Sequence, residues 1–319
     1  MLTDAEFRTG SLCVVGNINR DIKTSRLAPA PALFQDGETS LDWVIETIGG
    51  GGANSAFTAA ALGAYVSLLA KVGADALGTR HERTLKKHGV TAFLARDPSH
   101  RTGTSLALSF QNGRRHFLSC LPASRALEFA DLNLQALEKC KHLLRADIWF
   151  SEAMLFGGNA LLFKAAAVRN LTISVDLNWD PAWGNADSSA IQARKQAVRD
   201  VLPYVSLAHG NARELCEFAD TAELQPALEK ITRWGADAVV VHLGEQGAGF
   251  YQNGKLEIEP PVLALSPVTN TGTGDVLSVC MMLLHSGGAG GVRERLRLAN
   301  TVVSEFMEGK RRFLPDLED

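Results

Sequence analysis

The amino-acid sequence predicts an α/β fold, in which a mostly parallel sheet is covered by helices on both faces. Short apolar runs alternate along the chain with helical stretches of about a dozen residues, the pattern that right-handed crossovers between parallel strands produce. The chain has 319 residues, and 46% of them are hydrophobic. It can therefore bury a large core, either as one large domain or as two smaller ones.

The apolar runs and the periodic stretches give the expected elements in order. Strands are expected at residues 12–15, 67–72, 148–150, 171–177, 205–208 and 238–243. Helices are expected at residues 54–63, 76–88, 159–169, 188–201, 212–219 and 222–234. Ligands of such sheets bind at the carboxyl ends of the strands. The polar residues and glycines that lie at or just after those ends are Gly16, Glu152, Asn178, Asn211 and Gly244.

Two segments interrupt this alternation. Residues 24–46 are rich in proline, alanine and polar side chains, and residues 101–121 indicate a hairpin because Asn112-Gly113 separates two strand-like runs. We expect a small β lid that is contributed by about residues 17–47 and 100–122. Two surface excursions would give the same sequence pattern. The whole chain, 1–319, is expected to form a single domain that carries this lid.

Composition excludes several classes of protein. The net charge is -3 and no long basic run is present, which argues against a nucleic-acid partner. The five cysteines are far apart, so neither a disulfide framework nor a zinc cluster is expected, and a reducing compartment is favoured. No apolar run is long enough to span a membrane, so a cytoplasmic protein is expected. His81 and His88 flank a charged helical stretch and are expected at the surface.

The stretch that carries the most chemistry is 269–279, which reads T-N-T-G-T-G-D-V-L-S-V. Gly272 and Gly274 bracket Thr273 before a helical run, so backbone N–H groups and the helix dipole would form an anion site. A carboxylate inside such a site would repel the anion. Its presence indicates that Asp275 is a base for a hydroxyl that attacks a phosphoryl group. An ordinary carboxylate at the start of a helix would have the same sequence.

A second glycine-rich turn precedes the first long helix. Four consecutive glycines, from Gly49 to Gly52, predict that some group approaches the backbone closely or that the turn is unusually tight. The run matches neither the common phosphate loop nor the dinucleotide-binding fingerprint. Asn54 follows it, either as a helix cap or as a ligand contact. Asn17, Asn19 and Asp21 follow the first strand and suit a ligand rich in hydroxyls, although turn formation would also use them.

Two further patterns each allow a structural and a functional interpretation. Asn211 and Glu214 open a helix one turn apart, where they would hold a water or Mg²⁺, or would simply cap the helix. Gly244 and Gly247 follow a strand, either in a ligand site or in a hairpin turn.

Together these patterns resemble the ribokinase-like carbohydrate kinase family over about residues 11–313. Each motif is weak alone, but they occur in the order typical of the family. The matching segments are G-N-I-N-R-D at 16–21, G-E-T at 37–39 with G-G-G-G-A-N-S-A at 49–56, K-V-G-A-D-A-L-G at 71–78, N-A-R-E at 211–214 and G-T-G-D at 272–275. The resemblance implies a ribokinase-like three-layer sandwich with a mostly parallel central sheet and a small β lid.

The resemblance also implies a role for each matching residue. Asp275 would be the general base, and the backbone of Gly272, Thr273 and Gly274 would be the anion hole. The sugar would contact Asn19, Asp21, Gly50, Gly51 and Asn54, with Glu152 as an additional contact. Asn211 and Glu214 would organise Mg²⁺, the latter through water, around the phosphates of ATP. Gly244 and Gly247 would line the nucleotide site, with Asn300 near adenine.

Four positions depart from the family pattern. Gly51 stands where ribokinase has lysine, and His242 stands where threonine is common. Thr269 replaces an aspartate that helps to hold a monovalent cation in some members, which leaves such a cation doubtful here. Asp180 replaces the arginine of a D-x-N-x-R segment, so an acidic substrate loses one expected partner. This difference favours a neutral sugar or nucleoside over a sugar acid.

The sequence therefore predicts an ATP-dependent phosphotransferase that phosphorylates a hydroxyl of a sugar or sugar-like small molecule. The alternatives are a nucleoside kinase of the same fold and a non-catalytic regulator that binds a sugar or nucleotide. A dinucleotide-dependent oxidoreductase is disfavoured by the missing fingerprint. A homodimer formed through the lid is compatible with the resemblance.

Overall fold

The computed structural model describes residues 3–28, 36–112, 114–265 and 272–315. Within these residues the larger sheet has nine strands, with two antiparallel strands at one edge and the others parallel. In spatial order they are β13 (Lys255–Glu259), β12 (Ala248–Gln252), β11 (Ala238–His242), β10 (Leu207–Asn211), β9 (Thr172–Asp176), β8 (His142–Arg145), β1 (Ser11–Val15), β4 (Tyr65–Gly73) and β5 (Thr91–Asp97).

Helices cover both faces of this sheet. In chain order they are α1 (Gly51–Ala61), α2 (Ala76–Lys87), α3 (Pro122–Arg125), α4 (Asn159–Val168), α5 (Ser188–Arg199), α6 (Ala212–Phe218), α7 (Leu224–Arg233), α8 (Thr273–Ser286) and α9 (Val292–Met307). Apolar side chains of α1, α2, α8 and α9 share one core with the sheet, and those of α4 to α7 share the other. The three-layer α/β class predicted from the sequence is therefore confirmed.

The central strand β1 shows why the sheet needs helices on both faces. Leu12 and Val14 point into the first core, whereas Cys13 and Val15 point into the second, and all four are fully buried. Successive strand residues face opposite sides, so a strand that is apolar at every position is stable only when both sides are covered.

The order of the strands reverses at β1. From β1 the chain adds β4 and β5 on one side, and it then returns to add β8 to β11 on the other. A crevice forms at such a reversal, outside the carboxyl ends of the two neighbouring strands, and it is the usual ligand site of this kind of sheet. Here the crevice lies just beyond Val15 of β1 and Arg145 of β8.

A second sheet lies at this same end of the molecule. Within the described part of the chain it has four strands in the order β3 (Val44–Gly49), β2 (Asn19–Leu27), β6 (Gly103–Phe110) and β7 (Arg115–Cys120). Asp75 connects it to the larger sheet, because its carboxylate accepts hydrogen bonds from Gly78 N at the start of α2 and from Thr102 N before β6. Gly113 of the expected hairpin turn and residues 29–35 lie outside the described residues.

Two expectations from the sequence are wrong. The strand expected at 148–150 lies earlier, at His142–Arg145, and Ile148 and Trp149 are buried in the turn that follows it. The true strand was hidden by its polar ends: His142 Nε2 lies 2.7 Å from Ser174 Oγ, and Arg145 Nε donates to Asn159 Oδ1. His81, expected at the surface, is fully buried. No helix in the described ranges has both the length and the apolar character of a membrane span.

Candidate active site

The start of α1 is held by a buried carboxylate from the turn after β8. Asp147 accepts hydrogen bonds from Asn17 N at 2.8 Å, Gly52 N at 2.9 Å and Gly51 N at 3.3 Å. Its backbone is left-handed, with φ at 53°. Burial raises the pKa of Asp147, although the three N–H donors oppose that rise. Asp147 thus fixes the glycine turn against the ends of β1 and β8, and its carboxylate occupies the anion site of this helix terminus.

The four glycines are required because other groups occupy the space of their missing side chains. A Cβ on Gly49 would lie 2.1 Å from Asp21 Oδ2, and one on Gly51 would lie 2.8 Å from Asp147 Oδ1. A Cβ on Gly50 would lie 2.6 Å from the carbonyl oxygen of Asn17, and Gly50 also has a φ of 96°. The close approach predicted from the sequence is therefore made by the protein itself, by the carboxylates of Asp21 and Asp147 and by the backbone of Gly16 and Asn17.

Asp21 and Asn19 lie together on β2 above this turn. Asn19 Nδ2 donates to Asp21 Oδ1 at 2.5 Å. Burial raises the pKa of Asp21 to about 6, while Lys23 and the bond from Asn19 oppose the shift. A partly exposed carboxylate at this position can accept hydrogen bonds from a ligand.

Asp275 lies in the first turn of α8 and faces α1. Asn54 Nδ2 donates to Asp275 Oδ2 at 2.8 Å, whereas Asn54 Oδ1 is buried without a hydrogen-bond partner in the described structure. Burial raises the pKa of Asp275 to about 7; the bond from Asn54 opposes this, and the charges of nearby carboxylates, including Asp147, raise it further. A carboxyl group with a pKa near neutrality is suited to proton transfer at physiological pH.

The turn that begins α8 has the geometry of an anion site. Gly272 is left-handed, with φ at 83°, and α8 begins at the next residue. The first N–H groups of a helix have no acceptor inside the helix and can point at a bound anion, so the start of α8 suits an anion. A Cβ on Gly274 would lie 3.1 Å from His242 Nδ1, which explains why this position is glycine. Residues 266–271, including Thr269, lie outside the described residues.

Asn211 and Glu214 form a reciprocal cap at the start of α6. Glu214 N donates to Asn211 Oδ1 at 2.9 Å, and Asn211 N donates to Glu214 Oε2 at 2.8 Å. Burial raises the pKa of Glu214, although the backbone N–H groups of Asn211 and Trp179 oppose the shift. Asp176, at the end of β9, has a pKa well above its ordinary value because of burial and the nearby charge of Glu214. The capping role is therefore real, and it leaves Glu214 Oε1 outside the cap.

A cavity of about 690 Å³ lies beside the start of α8. Its polar lining includes Gly244, Gly247, Thr273, Gly274, His242 and Asn300. Its apolar lining includes Pro261, Val262, Leu263, Leu277, Val303 and Met307. Asn300 Nδ2 donates to the carbonyl oxygens of Glu259 and Pro260, so it fixes the loop that forms one wall. Gly244 and Gly247 form the hairpin turn between β11 and β12 and line the cavity as well.

His242 on the cavity wall is a neutral hydrogen-bonding group. Its Nε2 lies 3.0 Å from Ser278 Oγ of α8. Burial lowers the pKa of His242 to about 4, so the imidazole is uncharged at neutral pH. It therefore adds no positive charge beside the anion site.

Glu152 is an exposed residue that follows the turn after β8. Its side chain is 80% exposed, and its carboxylate is 3.6 Å from Arg194 Nη1. Arg194 is held by Asp180, which is fully buried and accepts from Arg194 Nε at 2.7 Å. Asp180 is therefore paired inside the protein and presents no free charge to a ligand.

The structure thus separates the predicted site residues into two groups. Asp275 and Asn54 meet directly, and Asp21 and Asp147 pack on the glycine turn that precedes Asn54. The charges of Asp21, Asp147 and Glu214 raise the pKa of Asp275. The second group lines the 690 Å³ cavity. The start of α8 belongs to both groups, because Thr273 and Gly274 line the cavity and Asp275 follows them. Sequence reasoning missed Asp147, because the strand before it was placed too late in the chain. Its only sequence signal is a carboxylate at the end of β8, beside the reversal point.

Comparison with known proteins identifies the family of this chain. Residues 10–302 match the family model described as pfkB family carbohydrate kinase. A ribokinase of Bacillus subtilis (strain 168) is 25% identical over 299 residues, which cover 92% of each chain.

Solved structures share the fold. A ribokinase of Arabidopsis thaliana, complexed with ribose and ATP, has a TM-score of 0.72 at 20% identity over 97% of this chain and 96% of that one. A putative ribokinase II from E. coli, complexed with ATP and Mg²⁺, has a TM-score of 0.76 at 19% identity over 95% of this chain and 94% of that one.

Since the family model covers most of its length, the chain belongs to the pfkB family of carbohydrate kinases. It is a kinase with the ribokinase-like fold, as the order of motifs in the sequence predicted.

Proposed function

We propose that this chain transfers the terminal phosphoryl group of ATP to a hydroxyl of a sugar or sugar-like small molecule. The observation that carries the proposal is Asp275, a partly buried carboxyl group in the first turn of α8 that accepts a hydrogen bond from Asn54 and has a pKa of about 7. The same turn contributes Thr273 and Gly274 to the wall of the 690 Å³ cavity. A base and an anion site that are one residue apart suit phosphoryl transfer, which depends on positioning and charge stabilisation.

In the proposed reaction the substrate hydroxyl lies against Asp275. The proton of the hydroxyl passes to the Asp275 carboxylate while its oxygen forms a bond to the γ-phosphorus of ATP. The bond between that phosphorus and the bridging oxygen breaks, and ADP carries away the electron pair. The N–H groups of Gly272, Thr273 and Gly274 stabilise the charge on the transferring group.

ATP is assigned to the large cavity, with its phosphates at the start of α8. The apolar walls suit a heterocyclic base, and Gly244 and Gly247 allow the backbone to approach the nucleotide. Asn300 holds the cavity wall that would lie near the adenine of ATP. The E. coli and Arabidopsis structures are both described as ATP complexes, which supports this assignment by similarity.

Mg²⁺ would be held by the phosphates and by water, with Asn211 and Glu214 organising the water. The described residues contain no group of three or more acidic, histidine or cysteine side chains that could hold a metal alone. A single carboxylate with a neighbouring amide, Glu214 and Asn211, fits Mg²⁺, because this ion usually keeps several waters and binds through one or two carboxylates together with phosphates. When bound, the ion would neutralise the developing negative charge. A monovalent cation is not proposed, because Thr269 stands where some family members have the aspartate that helps to hold it.

The sugar is assigned to the crevice between β1 and β8. Asn19, Asp21, Gly50, Gly51 and Asn54 would contact it, with Glu152 at the rim. Asn54 Oδ1 is a buried acceptor without a partner in the described structure, and a substrate hydroxyl would satisfy it. The carboxylates around Asp275 would repel an anion, so the reacting end of the substrate is proposed to be uncharged.

The four-stranded sheet is proposed to act as a lid over the sugar. Excluding water there would prevent wasteful hydrolysis of ATP. Exposed apolar side chains on this sheet and the turn before it, namely Trp43, Val44, Ile45, Phe117 and Leu118, support a homodimer formed through the lid.

A panel of pentoses, hexoses and nucleosides, incubated with ATP and Mg²⁺, tests the proposal. Release of ADP that depends on one of these compounds is expected. Compounds that raise the melting temperature without any ADP release would instead support a binding regulator, and they would contradict the kinase.

A further inference from the structure

A second cavity, of about 420 Å³, lies at the edge of the four-stranded sheet. Its lining includes Ser119 of β7, the Leu121-Pro122 turn, Arg125 of α3 and His100. None of its lining residues belongs to the nucleotide cavity.

Strand register places Ser119, which lines this cavity, on the face of the sheet that carries Asp21. Asp21 of β2 is opposite Ser105 of β6, and Ser105 is opposite Ser119 of β7. Directly opposed residues share a face, and the two serine hydroxyls are 2.8 Å apart. Neighbouring strands are about 4.8 Å apart, so Ser119 lies roughly 10 Å from Asp21 across the sheet.

Gly103 gives independent evidence for this continuity. A Cβ on Gly103 would lie 2.7 Å from Leu121 Cδ2 and 3.3 Å from Asn19 Cβ. Leu121 and Asn19 therefore both pack against Gly103. Leu121 lines the second cavity, and Asn19 lies beside Asp21. Ser105, which is buried, and Ser119 lie between the two ends on this face of the sheet.

The two ends of this face differ in charge. The near end has Asp21 and the carboxylates around Asp275. The far end has Arg125, which is exposed and whose guanidinium makes no hydrogen bond or ion pair with any described residue, and His100, whose side chain is 49% exposed. Asp97 beside His100 is 7% exposed and is already bonded to two backbone N–H groups and paired with Lys71.

We infer that the substrate cleft extends along this face, and that the second cavity holds an anionic substituent of the sugar, a phosphate ester or a carboxylate. Arginine is the side chain best matched to both groups, since its planar donors bind two oxygens at once. The inference rests on the proposed function, because it takes the reacting hydroxyl to lie at Asp275. The substrate is then uncharged where it reacts and acidic at its far end.

Sets of matched sugars test this inference. Each set has a neutral sugar, its phosphate ester and its acid, for example ribose with ribose 5-phosphate and ribonate, or glucose with glucose 6-phosphate and gluconate. In the wild type, kcat/KM should be higher for one anionic member than for its neutral parent. Arg125→Gln should lower that preference by roughly ten- to a hundredfold, the worth of hydrogen bonds between charged groups.

Two variants serve as controls. Arg125→Lys keeps the charge and should retain part of the preference. Arg169→Gln removes an exposed arginine at the end of α4 and should change nothing. With the neutral parents, kcat/KM of Arg125→Gln should stay within about threefold of the wild type, since changes at exposed positions are usually small.

The outcomes separate the subsite from the kinase assignment. Turnover of neutral sugars with an unchanged preference in Arg125→Gln would overturn the subsite and leave the kinase intact. Wild-type turnover that never favours an anionic member would also overturn it. Binding of anionic sugars that depends on Arg125 but never releases ADP would retain the subsite and overturn the kinase.

Discussion

At the scale of single residues, the site is built around the protonation of Asp275. Burial raises the pKa of this carboxyl group to about 7, and the Asn54 amide lowers it by stabilising the ionised form. A base must be ionised to accept a proton. With a neutral substrate, kcat/KM should therefore rise about tenfold per pH unit below about pH 7 and level off above it.

The bond from Asn54 can be tested through the same profile. Asn54→Ala removes a donor to the carboxylate, so the pKa of Asp275 should rise and the acid limb of kcat/KM should move to higher pH. Loss of packing alone would lower kcat/KM without moving the limb. A limb near pH 4 in the wild type, the ordinary range of a carboxyl group, would contradict the assignment.

Asp21 is a second residue with a separable role. Removing a charged acceptor of substrate hydroxyls should cost roughly 1.5–3 kcal/mol of binding. Asp21→Ala should therefore raise the KM for the sugar by roughly ten- to a hundredfold and leave the KM for ATP nearly unchanged. A purely structural Asp21, packed over Gly49, predicts a lower melting temperature with both constants unchanged. Measuring the two KM values and the melting temperature distinguishes these roles.

At the scale of secondary-structure elements, Asp147 joins α1 to the ends of β1 and β8. Asp147→Ala would leave three N–H groups without their acceptor, and two of those bonds are buried. Each unsatisfied buried donor costs about 1–3 kcal/mol, so the melting temperature should fall clearly. Asp200→Ala, at the end of α5, is a matched control and should have little effect. Equal melting temperatures for the two variants would refute the anchoring role.

The same elements show where sequence reasoning succeeds and where it stops. Apolar runs located β1, β4, β9, β10 and β11 because burial on both faces leaves a direct pattern in the sequence. The strand β8 was misplaced, since buried His142 and Arg145 satisfy their polar groups through partners that are distant in the chain.

A run of glycines predicts that some group approaches the backbone closely, but it does not identify that group. The four-glycine run predicted a crowded turn, whereas the identity of the crowding groups, Asp21 and Asp147, depends on tertiary contacts. Similarly, the pattern at Asn211 and Glu214 fitted both a cap and a metal site. The structure establishes the cap and leaves the metal role as a proposal.

At the scale of the whole molecule, the apolar surface of the four-stranded sheet predicts self-association. Leu118→Lys places a charge on an exposed apolar position and should shift a dimer towards monomer in sedimentation experiments. Leu161→Lys, at an exposed leucine of α4, is the control and should not change the oligomeric state. A wild type that sediments as a monomer at all concentrations would contradict a dimer through the lid.

The raised pKa of Asp275 also affects the stability of the whole fold. In the unfolded chain this group has a pKa near about 4, so between about pH 4 and pH 7 the native state keeps a proton that the unfolded state has released. Stability contributed by this group therefore falls as pH rises through that window. Asp275→Asn removes the ionisable group and with it this loss of folding stability. At pH 8 the variant should therefore melt no lower than the wild type.

That property makes Asp275→Asn the most direct test of the central claim, that Asp275 is the base of a phosphoryl transfer. The measurement is kcat for ADP release at pH 8 with saturating sugar and ATP. The variant should keep its fold and its affinity for an ATP analogue, while kcat falls by about 10²–10⁴-fold or more. Near-normal turnover by a folded Asp275→Asn variant would contradict the account.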